Sequence, residues 1–101
     1  MRIELKALGF QSGIALKDFV IRKLSAALAH GANEVKRVIV RLSDLNGPKG
    51  GVDKECRVEL VFHRGQPQMV AATANDYFSA VHLAARRAGR ISLQVQRRAP
   101  F

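Results

Sequence analysis

Five arginines and no acid follow Asp76: Arg86, Arg87, Arg90, Arg97 and Arg98. Arginine at that density suits phosphate binding, because the guanidinium fork gives two parallel hydrogen bonds to one anion. The spacing adds to the count. On a helix turning about 100° per residue, Arg86, Arg90 and Arg97 fall within roughly 40° of one another, opposite Val81, and Arg87 flanks them. A second set stands earlier in the chain: Lys17 and Lys23 fall at the two edges of an apolar helix face, and Arg22 lies opposite that face. A solvated helix face normally mixes signs, and this one does not. The expectation is RNA contact through Lys17, Arg22, Lys23, Arg86, Arg87, Arg90 and Arg97.

Other chemistry finds little support. Neither a Gly-x-Gly-x-x-Gly turn nor a P-loop pattern occurs. His30, His63 and His82 are scattered between elements and share no ligand spacing with Cys56, so they read as surface histidines. Cys56 alternates inward on a strand, which makes it core rather than nucleophile. The run NGPKGGVDK, residues 46–54, has the glycines to cradle a phosphate. It joins two strands, however, and leads into no helix. It reads as a hairpin tip from which Lys49 and Lys54 can reach RNA phosphates. The pattern therefore predicts no enzyme, no catalytic residue, no metal, no cofactor and no small-molecule substrate. Membrane binding would want bulky apolar groups beside the cations, and only Leu83 offers one. With no tryptophan and one tyrosine, a base-stacking platform on the open sheet face is poorly supported as well. Phosphate and shape contacts to folded RNA fit better.

The cations sit in a chain of 101 residues with a net charge of +9, a pI near 10.9 and 48% hydrophobic residues. That is enough apolar material for one small core, and a charge that a polyanion relieves. One domain over residues 1–96 with a short basic tail, 97–101, is expected. The single cysteine can form no internal disulfide. The opening MRIELKALGF has no signal-peptide pattern, and no apolar run approaches the ~20 residues of a membrane span. A soluble, cytoplasmic protein is expected.

The elements that position these residues follow from hydrophobic period. Residues 2–8 alternate, with Ile3 and Leu5 inward, and Gly9 ends the run. Residues 13–29 place Leu16, Phe19, Val20, Leu24, Ala27 and Leu28 on one helical face, with Ser12 as N-cap and Gly31 as the left-handed residue past the end. Residues 36–43 and 56–63 alternate again: Val38, Val40 and Leu42 point inward from the first, Cys56, Val58, Leu60 and Phe62 from the second. Arg37, Ile39 and Arg41 face outward. A turn at 64–67 leads to a fourth strand, 68–74, with Val70 and Ala72 inward. Asn75 caps and Asp76 opens a last helix over about 77–95, whose inner face carries Phe78, Val81, Ala85, Ala88, Ser92 and Val95. Gly89 lies inside it, where a close approach to the sheet or to a ligand backbone would account for it. The order is β-α-β-β-β-α. An α+β fold results: a four-stranded sheet with both helices packed on one face.

Three stretches carry a resemblance: ALKDFVIRKL (15–24), VIVRLSDLNGPKGGVDKECRVEL (38–60) and NDYFSAVHLAARRAGR (75–90). The chain resembles the ribosome hibernation-promoting factors and ribosome-associated inhibitors, also called ribosomal subunit interface or sigma-54 modulation proteins. The likeness implies a fold similar to double-stranded RNA-binding domains. It also implies binding to the small ribosomal subunit in the mRNA–tRNA channel, with the basic helices on ribosomal RNA and translation blocked in idle ribosomes. Lys17, Lys23, Arg87 and Arg90 match basic positions of the family, whereas Arg86 stands where some relatives carry an acid. A further family lysine reads Ala26 here, with Arg22 as its substitute. The sequence given ends at Phe101, without the C-terminal domain through which long relatives pair ribosomes and without the acidic tail of some inhibitors. The older family label supplies an alternative: a protein-interaction module that regulates transcription machinery.

Overall fold

The computed structural model describes residues 1–31, 33–46 and 52–98, the last two as backbone alone. The elements run β1 (Arg2–Ala7), α1 (Ile14–Ala27), a 3-10 turn (Ala29–Gly31), β2 (Val35–Asp44), β3 (Lys54–Phe62), β4 (Gln68–Ala74) and α2 (Tyr77–Arg98). The predicted order is the observed one. The sheet order is β1-β2-β3-β4; β1 runs parallel to β2, and the other pairs are antiparallel. The two helices share one face. Val38, Val40 and Leu42 of β2, Cys56, Val58, Leu60 and Phe62 of β3, and Ala72 of β4 are all buried beneath Leu16, Val20, Leu24 and Leu28 and the inner side of α2. That inner side is mostly alanine (Ala80, Ala84, Ala85 and Ala88), which lets α2 lie close to β3 and β4.

Several local expectations give way to others. Helix α1 starts at Ile14, so its N-cap is Gly13, which makes no side-chain cap bond; Ser12 stands one position too early. The chain leaves α1 through Leu28 into the 3-10 turn and needs no left-handed residue there. Positive φ among the described glycines occurs instead at Gly9 (84°) and Gly65 (85°), the turns after β1 and after β3. Gly31 is small for a different reason: a β-carbon there would lie 2.7 Å from Ser92 Oγ on α2. Gly89 meets α1 rather than the sheet, with the Ala27 carbonyl oxygen 2.8 Å from where its β-carbon would stand. Ile39 faces away from the helices as expected and yet is only 4% exposed. Its neighbours in register are Glu4 and Glu59, and Arg37–Glu4 (3.4 Å) and Arg41–Glu59 (3.3 Å) pairs close over that face. A bulge between Val35 and Arg37 returns the odd-numbered Val35 to the core side, where it is fully buried. Phe78 does not join the core; it is 44% exposed.

The cap of α2 shifts by one residue. Asp76, not Asn75, is the N-cap: the Ser79 backbone N–H donates to Asp76 Oδ1 and the Ser79 hydroxyl to Oδ2, both at 2.8 Å. Those two bonds hold the Asp76 carboxyl below its ordinary value of 3.8. A carboxyl depressed on folding stabilises the fold above its unfolded value, and the effect fades as pH falls through the folded one. Asp76→Ala is therefore expected to lower the melting temperature by roughly 5 °C at neutral pH. The gap from the parent protein should close in melts run well below pH 3.8. A gap that persists in acid would show that the loss is not one of charge-assisted capping.

Candidate nucleic-acid interface

The helices run parallel, and two contacts fix their alignment. The Phe19 and Phe78 rings meet edge to face, with centroids 5.1 Å apart, near the two N-terminal ends. Ala27 meets Gly89 further along. Phe19, Lys23 and Ala27 stand four residues apart, so they form the ridge of α1 that faces α2. Lys23 is half-buried between these two contacts, with Nζ 5.5 Å from the Phe19 centroid. Arg22 covers the same ring from the solvent side at 5.8 Å. Lys17 lies two residues before Phe19, about 200° around the helix, and so on the far margin of α1.

On α2, Arg86 and Arg90 are exposed and line an open groove of about 430 Å³ with Ala27, His30, Gly31, Gly89, Ser92 and Leu93. Arg87 turns the other way, and its guanidinium donates to the Ala71 carbonyl of β4. The structure thus gathers Arg22, Lys23, Arg86 and Arg90 on the outer surface of the helix layer. Lys17 and Arg87 stand at its two borders. Helix α2 takes in Arg97 and Arg98; the Arg97 side chain, the tip residues 47–51 with Lys49, and residues 99–101 lie outside the described residues. Lys54 is committed elsewhere: its ammonium lies 2.9 Å from Asp53 Oδ1 and 3.1 Å from Asp44 Oδ2, and these bonds raise its pKa. It is not placed to grip a phosphate. His30 was missed by looking for metal spacing. It stands in the 3-10 turn that follows α1, and it lines the groove.

Charge is divided between the layers. The two helices hold eight cations against one acid, Asp18, so +7 of the net +9 belongs to them. Among the described residues, the ion pairs join Glu4, Asp44, Asp53, Glu55 and Glu59 to cations of the strands, and none involves a helix cation. The strand side is therefore close to neutral and the helix side strongly positive. Cys56 is buried, and desolvation pushes its thiol up to about 12, which leaves it no thiolate for chemistry at neutral pH. Among the described residues no three His, Cys, Asp or Glu side chains could hold a metal ion, and no helix is long and apolar enough to cross a membrane.

A four-stranded mixed sheet carrying two parallel helices on one face also occurs in solved structures. The N-terminal domain of Thermus thermophilus Protein Y superimposes with a TM-score of 0.77 at 22% identity, over 94% of this chain and 99% of that one. A ribosomal subunit interface protein from Coxiella burnetii superimposes with a TM-score of 0.79 at 16% identity, over 97% of this chain and 100% of that one. The chain shares their fold from end to end. No protein-family model and no curated protein sequence matches it.

Proposed function

We propose that this protein binds the small ribosomal subunit through the outer surface of its helix layer and inhibits translation by occupying the mRNA–tRNA channel of idle ribosomes. The observation that carries the reading is the division of charge, set on a fold shared with a ribosomal subunit interface protein. A helix layer whose described arginines join no ion pair, set on a nearly neutral back, is built to meet one polyanionic surface. The residues assigned to RNA are Arg22, Lys23, Arg86 and Arg90 at the centre, with Lys17 and Arg87 at the margins; Arg97 joins them by its sequence spacing. The protein acts by occupancy in the cytoplasm and needs no cofactor.

The test is cosedimentation with purified small subunits across a salt series. Each phosphate contact contributes about −0.7 to −0.9 to the log–log slope, so four contacts predict a slope near −3. Binding that ignores salt, or no binding at all, would sink the reading.

A further inference from the structure

The basic surface is interrupted at its N-terminal end by an apolar notch. Phe19, Phe78, Ser79, His82 and Leu83 line an open cavity of about 370 Å³, within the ~300–1,000 Å³ span of small-ligand sites. Phe78 is 44% exposed and Leu83 36%, although both lie on well-formed helix. Phe78 is held by its edge-to-face contact with Phe19, which leaves the rest of the ring open. Two cations lean on Phe19 from the α1 side, Arg22 at 5.8 Å and Lys23 at 5.5 Å. The acid nearest in sequence to Phe78 is Asp76, two residues earlier, and its carboxylate is occupied by Ser79.

We infer that this notch receives one unpaired RNA base, stacked on the open face of Phe78, while Arg22 and Lys23 hold the phosphate next to it. The inference rests on the ribosome-binding reading and names a second kind of contact within it. An aromatic face beside paired cations suits a nucleotide: the ring takes the base and the cations take its backbone. A purely apolar partner would gain nothing from a guanidinium and an ammonium at the rim. A duplex keeps its bases stacked inside, so the occupant is a base splayed out of a loop or bulge. Base stacking is thereby moved from the open sheet face, where the sequence gives it no support, to the seam between the helices.

The experiment compares Phe78→Trp, Phe78→Leu and Phe78→Ala for binding to purified small subunits across a salt series, with melting temperatures recorded for each. Phe78 is largely outside the core, so all three are expected to fold. Phe78→Leu and Phe78→Ala are both expected to weaken binding about tenfold or more, and Phe78→Trp to hold or tighten it. The salt slope should stay that of the parent, because no phosphate contact is lost. Phe78→Leu binding as well as the parent would overturn the inference in favour of plain apolar contact with a protein surface. Equal binding by all three would overturn it outright. In either case the salt-dependent binding of the parent would leave the ribosome reading standing, whereas a parent protein that fails to bind small subunits overturns both.

Discussion

Arg86→Glu with Arg90→Glu abolishes cosedimentation with small subunits at near-physiological salt while leaving the melting temperature within a few degrees of the parent. Both side chains are exposed, and among the described residues neither joins an ion pair, so folding loses little. A charge-assisted hydrogen bond is worth about 1.5–3 kcal/mol, so losing two weakens binding by at least ~100-fold, and the reversed charge adds repulsion. The salt slope of any residual binding should flatten by roughly 1.4–1.8. Arg87→Glu is the internal comparison. Its guanidinium is engaged with the Ala71 carbonyl at the border of β4, so its loss should be several-fold smaller. Equal losses from Arg87 and from the Arg86–Arg90 pair would shift the interface from the inter-helix groove to the β4 edge. Arg86 stands with Arg90 and His30 in one groove, which is why the two arginines are replaced together.

Gly89→Val is expected to destabilise the protein by about 3 kcal/mol, at the upper end of overpacking costs, read as a lower denaturant midpoint. Replacing an interior helix glycine ordinarily gains up to ~1 kcal/mol in helix propensity. Here the new β-carbon would press on the Ala27 carbonyl oxygen at 2.8 Å and on the Ala27 β-carbon at 3.4 Å, and the first of these is backbone that cannot turn aside. The helices must part, or the variant must not fold. Folded Gly89→Val should also bind small subunits about tenfold less tightly, because parting the helices moves Arg22 and Lys23 away from Arg86 and Arg90. Gly89→Ala sets propensity against crowding and should fall between valine and the parent. A valine variant as stable as the parent would show that the helices have room between them.

The architecture was legible because each strand and helix carries its own period. Val38, Val40 and Leu42 alternate, Leu16, Val20 and Leu24 recur every four residues, and the structure buries all six. What single-chain periodicity does not contain is which way two helices face each other. Gly89 announced a close approach, but nothing near it in sequence names Ala27, which lies 62 positions earlier. For the same reason the cations read as one strip, while the structure sends Arg87 to β4 and leaves Lys17 on the far side of α1. Phe78 shows the opposite failure. Its spacing from Val81 and Ala85 matches the inner face, but it lies in the first turn, where the helix has reached Phe19 rather than the sheet. Capping was misplaced by one residue because Asn75 and Asp76 are both good caps, and only the position of Ser79 decides between them.

The neutral sheet and the positive helix layer also govern how fast partners meet. A molecule with its charge on one side has a front and a back before it touches anything, so a polyanion turns it during approach. The net charge of the helix layer then sets the association rate, which drops as salt rises, and the direct contacts of Arg86, Arg90, Lys23 and Phe78 set the dwell time. The ion pairs that close over Ile39 serve the same division, since they silence the face that would otherwise compete for the encounter.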